Sequence, residues 1–215
     1  MSESMEASPN KMDDELKTAR SFNALYQRHG YSYKALDWGS REGQELRFQI
    51  LSEIAPLDGT TILDVGCGFG HFYNWLSTQG IRLSYTGIDI ADQIIQEAKR
   101  AHPEARFLVG SPSNLEFLRD ERFDYVFASG IFSTYTSDPM EWMQSCIKRM
   151  WQWSRRGVAF NSLSAWALEP DPQEFYADPI AVLGGCKPLT SWISMRHDYH
   201  SRDFSVYLLR KGPQP

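Results

Sequence analysis

Three glycines at alternate positions, Gly66, Gly68 and Gly70, directly follow the apolar segment ILDV. Glycine tolerates a positive φ and has no Cβ, so the backbone can approach a ligand closely. In doubly wound α/β proteins, ligands bind at the carboxyl ends of the strands, where the first strand-to-helix turn lies. The spacing predicts a site for a nucleotide-like cofactor. A tight turn without a ligand is the alternative for the glycines taken alone.

Acidic residues on both sides of the glycines narrow the choice of cofactor. The dinucleotide pattern G-x-G-x-x-G needs a glycine at position 71, where the sequence has His71. Asp64 would repel a diphosphate but can accept from a protonated amine, directly or through water. Asp89 ends the segment YTGID, where a carboxylate can bind two ribose hydroxyls, and Ile90 can pack on an adenine ring. The pattern argues against NAD.

From residue 59 onward, short apolar segments alternate with helical patterns. In chain order, the predicted strands are TILDV, LSYTGID, RFLVG, FDYVFAS, GVAFNSL, ISMRHDY and FSVYLLR. The helices between the first five predict right-handed crossovers and a parallel sheet covered on both faces. The last two are too close in sequence for a crossover and pair as a hairpin. The predicted fold class is α/β, a doubly wound, mostly parallel seven-stranded sheet with a C-terminal antiparallel hairpin.

Two helices are predicted before the sheet. Apolar residues recur at helical spacing up to His29, where Gly30 can end the first helix. A second helical pattern follows the aromatic segment YSYKALDW, with Ser40 as its N-cap. The predicted organisation is a disordered tail (1–12), an N-terminal helical cap over the cofactor site (13–58) and a cofactor-binding catalytic domain (59–215).

The segment ILDVGCGFG followed by YTGID resembles the class I S-adenosylmethionine-dependent methyltransferases, and the similarity in strand order covers residues 59–210. The resemblance implies a Rossmann-like fold that holds S-adenosylmethionine at the glycine turn, its ribose at Asp89 and its adenine at the segment after the third strand. That segment, GSPSN, has Ser111 near the place where many family members carry an aspartate. After the fourth strand, Ser129 begins the segment SGIF, which the resemblance places along the methionine part.

Aromatic side chains are expected near the sulfonium, because a cation–π contact contributes about 0.5–2 kcal/mol and the rings exclude water. Tyr33 and Trp38 belong to YSYKALDW and are predicted to close over the cofactor. Phe132 and Tyr135 lie beyond a strand end on the same side. The alternative for any one ring is that it packs the N-terminal helices onto the sheet.

Two polar residues are the candidates for catalysis. Asn161 ends the strand segment GVAFN, where its amide can orient an amine or a carboxylate; a turn residue is the alternative. Tyr176 lies in the loop EPDPQEFYADP, and its hydroxyl can bind a substrate or merely pack. His197 alternates with apolar residues and is expected in the core. His197 and His200 lack a further convincing ligand, so no metal is predicted.

The composition bears on partners and location. The 215-residue chain has a net charge of −5, with acidic and basic residues mixed. It shows no electrostatic footprint for nucleic acid or an anionic membrane, and its apolar runs fall short of the roughly 20 residues of a membrane span. Three scattered cysteines favour reduced thiols, and the polar N-terminus has no secretory pattern. We expect a cytoplasmic protein with a small-molecule substrate.

The sequence is compatible with three functions. The leading prediction is a methyltransferase that uses S-adenosylmethionine on a small molecule and releases S-adenosylhomocysteine. YKALDWGS, FASGIF, FNSLS and RHDY are similar to segments of the azetidine-2-carboxylate synthases, which implies cyclisation of S-adenosylmethionine with release of methylthioadenosine. The third function is a non-catalytic S-adenosylmethionine-binding or RNA-associated module, which the acidic balance and the intact glycine turn disfavour.

Overall fold

One mixed sheet forms the centre of the molecule. The computed structural model describes residues 9–114, 118, 120–134 and 136–212. Within these ranges, the strands are β1 (Thr61–Val65), β2 (Ser84–Asp89), β3 (Arg106–Val109), β4 (Phe123–Ala128), β5 (Ser154–Leu163), β6 (Trp192–Arg196) and β7 (Asp203–Leu209). They form one seven-stranded sheet in the order β3-β2-β1-β4-β5-β7-β6.

Helices connect most of these strands. They are α1 (Pro9–His29), α2 (Arg41–Ser52), α3 (His71–Thr78), α4 (Asp92–Ala101), α5 (Pro139–Trp153) and α6 (Pro179–Cys186), with short 3-10 helices at Tyr33–Leu36 and Ile131–Ser133. Side-chain caps begin three of the helices: Ser40 accepts from Gly43 N, Asp138 from Glu141 N and Asp178 from Ile180 N. Each cap satisfies a backbone donor of the first turn.

The pairing of the strands confirms the predicted fold class. β1 pairs in parallel with β2 and β4, and the parallel order continues outward to β3 and β5. β7 is antiparallel to both β5 and β6, so the last strand of the chain lies between them. In that register Leu163 lies opposite Asp203, and Asn161 lies opposite Ser205.

Both faces of the sheet are buried. On one face α5 and α6 pack through Met143, Ile147 and Val182, which agrees with the apolar stripe expected for α5. On the other face α2, α3 and α4 pack on the strands. The parallel strands therefore have apolar side chains on both sides, as expected for crossover connections.

The N-terminal region differs from the predicted division. α1 begins at Pro9, so residues 9–12 belong to a helix rather than to a tail, while residues 1–8 lie outside the described part. α2 buries Phe48 and Leu51 against Ile62 of β1, so this helix is part of the core layer. Only α1 and the 3-10 helix Tyr33–Leu36 remain as a cap, because apolar burial attaches α2 to the sheet.

α6 was not predicted from the sequence; only its first residue, Pro179, belongs to the loop EPDPQEFYADP, and the residues after it were not assigned to any element. The helix is short and contains Gly184 and Gly185, which weaken a helical pattern. Its start is nevertheless encoded by Asp178 as N-cap and Pro179 at the first helical position. Across the described ranges, no helix has the length and apolar character needed to cross a membrane.

Candidate functional site

The glycine turn between β1 and α3 requires glycine for two separate reasons. Gly66 and Gly68 have φ values of 74° and 54°, a region that residues with a Cβ rarely adopt. A Cβ at Gly68 would lie 2.7 Å from Leu36 Cδ1, and one at Gly66 would overlap Ile131. Gly66 N also donates to the Ile88 carbonyl at 2.8 Å. The turn is thus tied to β2 and closely covered by residues from two other segments.

Asp89 is fixed at the end of β2 by backbone donors. Its Oδ2 accepts from Gly68 N at 3.0 Å and its Oδ1 from Ala91 N at 2.9 Å. Burial raises the pKa of Asp89, while these backbone hydrogen bonds oppose the rise. Each carboxylate oxygen has a further lone pair, so both can still accept from a ligand.

Asp64 lies beneath the turn with 3% of its surface exposed. The Tyr85 hydroxyl donates to its Oδ2 at 2.6 Å. Burial raises the pKa of Asp64 to about 7, against the lowering effect of the Tyr85 hydrogen bond, and the nearby charge of Asp89 adds to the rise. The carboxyl is therefore partly protonated near neutral pH.

A cavity of about 390 Å³ lies above the turn, between the strand ends and α1. It brings together most of the predicted cofactor-binding residues: Asp64, Gly66, Gly68, Asp89, Ile90, Ser111, Ser129 and Trp38. Two buried hydroxyls that line it, Ser129 Oγ and Thr136 Oγ1, have no hydrogen-bond partner among the described residues. Such groups are normally satisfied, so a polar ligand fits this cavity, which we name the cofactor cavity.

Two of the predicted cofactor-binding residues do not line the cofactor cavity. Gly70 precedes α3 with φ 79°, and a Cβ there would meet Phe107; its role is in the turn itself. Tyr33 begins the 3-10 helix, and its carbonyl accepts from Trp38 N at 3.1 Å. The helical turn presents Trp38 and Leu36 to the cavity instead. Tyr135 lies outside the described residues.

α1 supplies two acidic residues to the cofactor cavity that sequence reasoning missed. Glu15 Oε1 accepts from Ser111 Oγ at 2.7 Å and also from the Ser113 hydroxyl. Asp14 Oδ2 accepts from both N and Oγ of Ser137 at 2.8 Å, and these bonds lower the pKa of Asp14. The sequence signal for these residues is the acidic run Asp13-Asp14-Glu15 in α1, which apolar periodicity does not reveal.

The lining of the cofactor cavity also includes a polar pair, the buried Gln44 and the half-buried His71. Gln44 is 4% exposed, and its Oε1 lies 3.2 Å from His71 Nδ1. Burial lowers the pKa of His71 to about 4, with smaller contributions from His102 and Arg41. The ring is therefore neutral, and the amide oxygen beside it assigns the proton to Nδ1. In this pair His71 Nδ1–H donates to Gln44 Oε1, so His71 Nε2 is an acceptor and the Gln44 amide nitrogen is the donor left for a ligand.

A second cavity, of about 270 Å³, adjoins the first. Both are lined by Phe22, Leu36, Trp38, Gly130 and Thr134. Asn161, which is 2% exposed, lines only the second cavity, and its Oδ1 accepts from Gly130 N at 2.9 Å. Asn161 thus lines a cavity near the carboxyl end of β5, which continues to Leu163, and it also holds the turn against which Trp38 packs.

Charged residues from distant segments complete the second cavity. Arg47 of α2 forms an ion pair with Asp203, which is 1% exposed, and the Arg47 guanidinium lies 5.1 Å from the Trp38 ring centre. His200 Nδ1 lies 3.2 Å from the same carboxylate oxygen of Asp203. None of these three was predicted as a site residue, because no local pattern connects α2 with β7.

The placement of Tyr176 does not support its predicted contact with a substrate. Its hydroxyl accepts from Asp171 N and donates to Glu174 Oε2, both at 3.0 Å. Arg202 lies over the ring, 5.5 Å from its centre, and also contacts the hydroxyl. Tyr176 lines neither cavity. It organises its own loop and holds Arg202, because its hydroxyl is fully used within the protein.

His197 is half-buried just after the end of β6, rather than in the core as expected. Its Nε2 lies 2.7 Å from Ser164 Oγ, and its ring stacks between Trp166 and Phe204 at centroid distances of 5.1 and 6.3 Å. Across the part of the chain that the structure describes, no group of three or more His, Cys, Asp or Glu side chains is arranged to hold a metal ion.

Comparison with known proteins identifies the family. A family described as a methyltransferase domain matches residues 62–157. A relative from Mycobacterium tuberculosis, named "Putative methyltransferase Rv1506c", is 32% identical over 166 residues, which are 72% of this chain and 95% of that protein.

Two solved structures share the fold at low identity. Magnesium protoporphyrin IX methyltransferase (ChlM) from Synechocystis PCC 6803 with bound SAM has a TM-score of 0.67 at 14% identity and covers 96% of this chain and 100% of its own. A SAM-dependent methyltransferase from Archaeoglobus fulgidus has a TM-score of 0.62 at 15% identity and covers 80% of this chain and 95% of its own. The family match and the Mycobacterium relative show that this chain belongs to the methyltransferase family, and the two structures show that it shares their fold.

Proposed function

We propose that the enzyme transfers the methyl group of S-adenosylmethionine to a small molecule bound in the second cavity. One observation carries this proposal: the cofactor cavity and the second cavity adjoin and share Trp38 and Gly130 as a common wall. Two adjoining cavities of about 390 and 270 Å³ suit a cofactor and a separate small acceptor. Pockets for drug-sized ligands run from about 300 to 1,000 Å³, so the acceptor is smaller than these.

The cofactor cavity supports a defined placement of S-adenosylmethionine. Asp89 has lone pairs left for ribose hydroxyls, and Ile90 offers an apolar surface for adenine. Asp64, below the turn, can accept from the amine, and the amide nitrogen of Gln44, whose Oε1 faces His71, can donate to the carboxylate. At the adenine end, Ser111 is already bonded to Glu15. We therefore add Glu15 to the cofactor-binding residues, because its second carboxylate oxygen can accept from the adenine amine.

Trp38 is the ring that we place beside the sulfonium. One face of its indole carries the Arg47 guanidinium at 5.1 Å, and its edge packs where a Cβ of Gly130 would lie. The remaining surface lines both cavities. Since an aromatic face attracts a cation, Trp38 can stabilise the sulfonium and exclude water from the junction of the two cavities.

The chemistry needs positioning more than acid or base catalysis. When bound, S-adenosylmethionine would supply an activated methyl carbon to a lone pair of the acceptor, with its sulfur as the leaving group. The chain's own contribution is to bring the two molecules within about 3–3.5 Å. Asn161 contributes by fixing Gly130 at the junction, and α1 by covering the cofactor cavity through Asp14 and Glu15.

Mass spectrometry of two incubations tests the proposal. Purified protein is incubated with S-adenosylmethionine alone, and in parallel with a low-molecular-mass metabolite extract. We expect S-adenosylhomocysteine and a methylated product only with the extract. Methylthioadenosine with a cyclic amino acid in the first incubation would replace methyl transfer by the cyclisation alternative.

The remaining expectations are proposals as well. We infer a cytoplasmic enzyme whose partner is a small molecule rather than nucleic acid. The inference is supported by the net charge of −5 and by three cysteines, Cys67, Cys146 and Cys186, that are buried and free. Salt-dependent binding of the protein to RNA would contradict it.

A further inference from the structure

The second cavity carries unsatisfied polar groups of opposite kinds. We propose that it binds a zwitterionic acceptor, an amino carboxylic acid, with the carboxylate on Arg202 and Asn161 and the amine on Asp203. This inference rests on the proposed methyl transfer, because it names the substrate class of the same reaction.

Asp203 provides the acceptor for an amine. Its side chain is 1% exposed and lines the second cavity, where its Oδ2 meets Arg47 as an ion pair without a hydrogen bond of ordinary geometry. The ionic contacts with Arg47 and His200 both reach Oδ2, which leaves Oδ1 for a ligand. A buried carboxylate normally accepts hydrogen bonds, so an N–H donor from the ligand completes this group.

Arg202 provides donors for a carboxylate. Its side-chain bonds to Glu174 and Tyr176 both leave from Nη2. Its Nε is buried without a hydrogen-bond partner among the described residues. The guanidinium therefore keeps donors for a ligand, and guanidinium–carboxylate hydrogen bonds are among the stronger ones in proteins.

The register of the sheet places the third group, the Asn161 amide, near Asp203, and Arg202 lines the same cavity. Asn161 and Leu163 lie on the same side of β5, and Leu163 is directly opposite Asp203 of β7. Asn161 and Asp203 are thus diagonal neighbours, about 7–8 Å apart at the backbone. Asn161 accepts through Oδ1 from Gly130 N, so its Nδ2 remains as a donor. An amine and a carboxylate on one carbon, each with a hydrogen bond of about 2.9 Å, span that separation.

The charges around the cavity favour a ligand without net charge. Arg47 and Arg202 are matched by Asp203 and Glu174. Burial lowers the pKa of His200 despite the opposing effect of Asp203, so this ring is neutral near pH 7. The other charged residue of the lining, Asp37, is exposed at the rim, where water screens it. A lone anion or cation would upset this balance, whereas a zwitterion preserves it.

Equilibrium binding to the full chain saturated with S-adenosylhomocysteine tests the proposal. Two sets of probes match in their hydrocarbon part: phenylalanine with phenylpropanoate and phenethylamine, and leucine with isocaproate and isoamylamine. We expect at least one amino acid to bind about tenfold tighter than either of its two counterparts, because each of these lacks one charge-assisted hydrogen bond. Equal affinities within both sets, or no binding by any of the six, would overturn the proposal.

Single substitutions test which residues bind the carboxylate of the ligand and which bind its amine. Arg202→Gln should lower the affinity of the preferred amino acid to about that of the matching amine, and Asp203→Asn to about that of the matching acid. Asn161→Asp keeps the acceptor for Gly130 N and replaces the donor by a negative charge, so it should also weaken carboxylate binding. Arg196→Gln is the matched control, because Arg196 is similarly exposed, pairs with Glu53 and Asp198, and lines neither cavity.

The readouts separate failure of this inference from failure of the proposed function. Binding of S-adenosylhomocysteine is measured for every variant, which checks that the protein is folded and the cofactor cavity intact. If the Asp203→Asn variant does not fold, Arg202→Gln and Asn161→Asp still test the carboxylate end. Turnover with the metabolite extract but equal probe affinities would overturn the zwitterion site alone, whereas cyclisation of S-adenosylmethionine would overturn the proposed function.

Discussion

The two cavities each have a buried carboxyl group at their base, and the groups are compensated in different ways. Asp64 below the cofactor cavity has a hydroxyl, Tyr85, as its partner, and burial raises its pKa to about 7. Asp203 in the second cavity has a cation, Arg47. The first therefore reduces its charge by taking up a proton. Burial raises the pKa of the Asp203 carboxyl too, but the charge of Arg47 opposes that rise. This predicts different responses to pH and to mutation.

The largest loss of folding stability is expected when Arg47, which lines the second cavity, is replaced. Arg47→Met would leave Asp203 buried without its cation, and removal of one partner of such a pair costs about 3–5 kcal/mol of stability. Urea denaturation measures this loss. Adding Asp203→Asn to the same variant should recover part of it, because the uncompensated charge is then gone.

An exposed ion pair provides the control for that variant. Arg41 and Glu45 are 70% and 40% exposed, so Arg41→Met should cost less than about 1 kcal/mol. Equal losses for Arg41→Met and Arg47→Met would show that the buried pair has no special role.

For Asp64 the expected effect depends on pH. The pKa is near 7 in the folded protein and 3.8 ordinarily, so between these pH values the folded state holds a proton that the unfolded state has released. This contribution to stability is complete below about pH 4 and is lost as the pH rises through 7, by at most about 4 kcal/mol. Urea denaturation from pH 5 to 8 should show a smaller loss for Asp64→Asn than for the wild type. Parallel curves for the two proteins would contradict the raised pKa.

A side chain introduced into the glycine turn should abolish cofactor binding, because neither the backbone conformation nor the neighbouring residues leave room for it. Gly68→Val requires a positive φ of a β-branched residue and places its Cβ against Leu36. We expect at least about 100-fold weaker binding of S-adenosylhomocysteine, or about 2.7 kcal/mol, measured by calorimetry. Gly184→Ala is the control, since a Cβ added at Gly184 would meet no neighbouring atom within 4 Å. Unchanged affinity in Gly68→Val would refute the placement of the cofactor.

The smallest effect is expected at α1, which covers the cofactor cavity through Glu15. Glu15→Gln should weaken S-adenosylhomocysteine binding about fivefold, or about 1 kcal/mol, because it replaces charge-assisted hydrogen bonds by neutral ones. Calorimetry against Glu42→Gln, an exposed residue of the first turn of α2, isolates the effect. A loss as large as that of Gly68→Val would mean that Glu15 does more than accept hydrogen bonds at the adenine end.

The same contrast explains what the sequence could predict. The cofactor cavity is built from short segments at strand ends, so Gly66, Gly68 and Asp89 are recognisable from spacing alone. The second cavity joins α2 to β5 and β7 through Arg47, Asn161 and Asp203. Only the residue at a predicted strand end, Asn161, could be found, because pairing between distant segments has no local pattern.

Local geometry accounts for the other differences. Trp38 and Tyr33 share one aromatic segment, but the 3-10 helix turns only Trp38 toward the cavity. Tyr176 was a reasonable candidate in a loop, yet its hydroxyl is used by Asp171, Glu174 and Arg202. Sequence patterns place the backbone of such residues and leave the direction of the side chain open.

Trp38 has a consequence for the thermodynamics of the two ligands. The same indole is a wall of both cavities, so a ligand that contacts it from either one should restrict the motion that its packing against Gly130 and Arg47 still allows. The entropy lost in ordering Trp38 is then lost only once, and the second ligand binds to a ring that is already ordered. Because such coupling is reciprocal, the cofactor should strengthen acceptor binding by the same factor by which the acceptor strengthens retention of the cofactor.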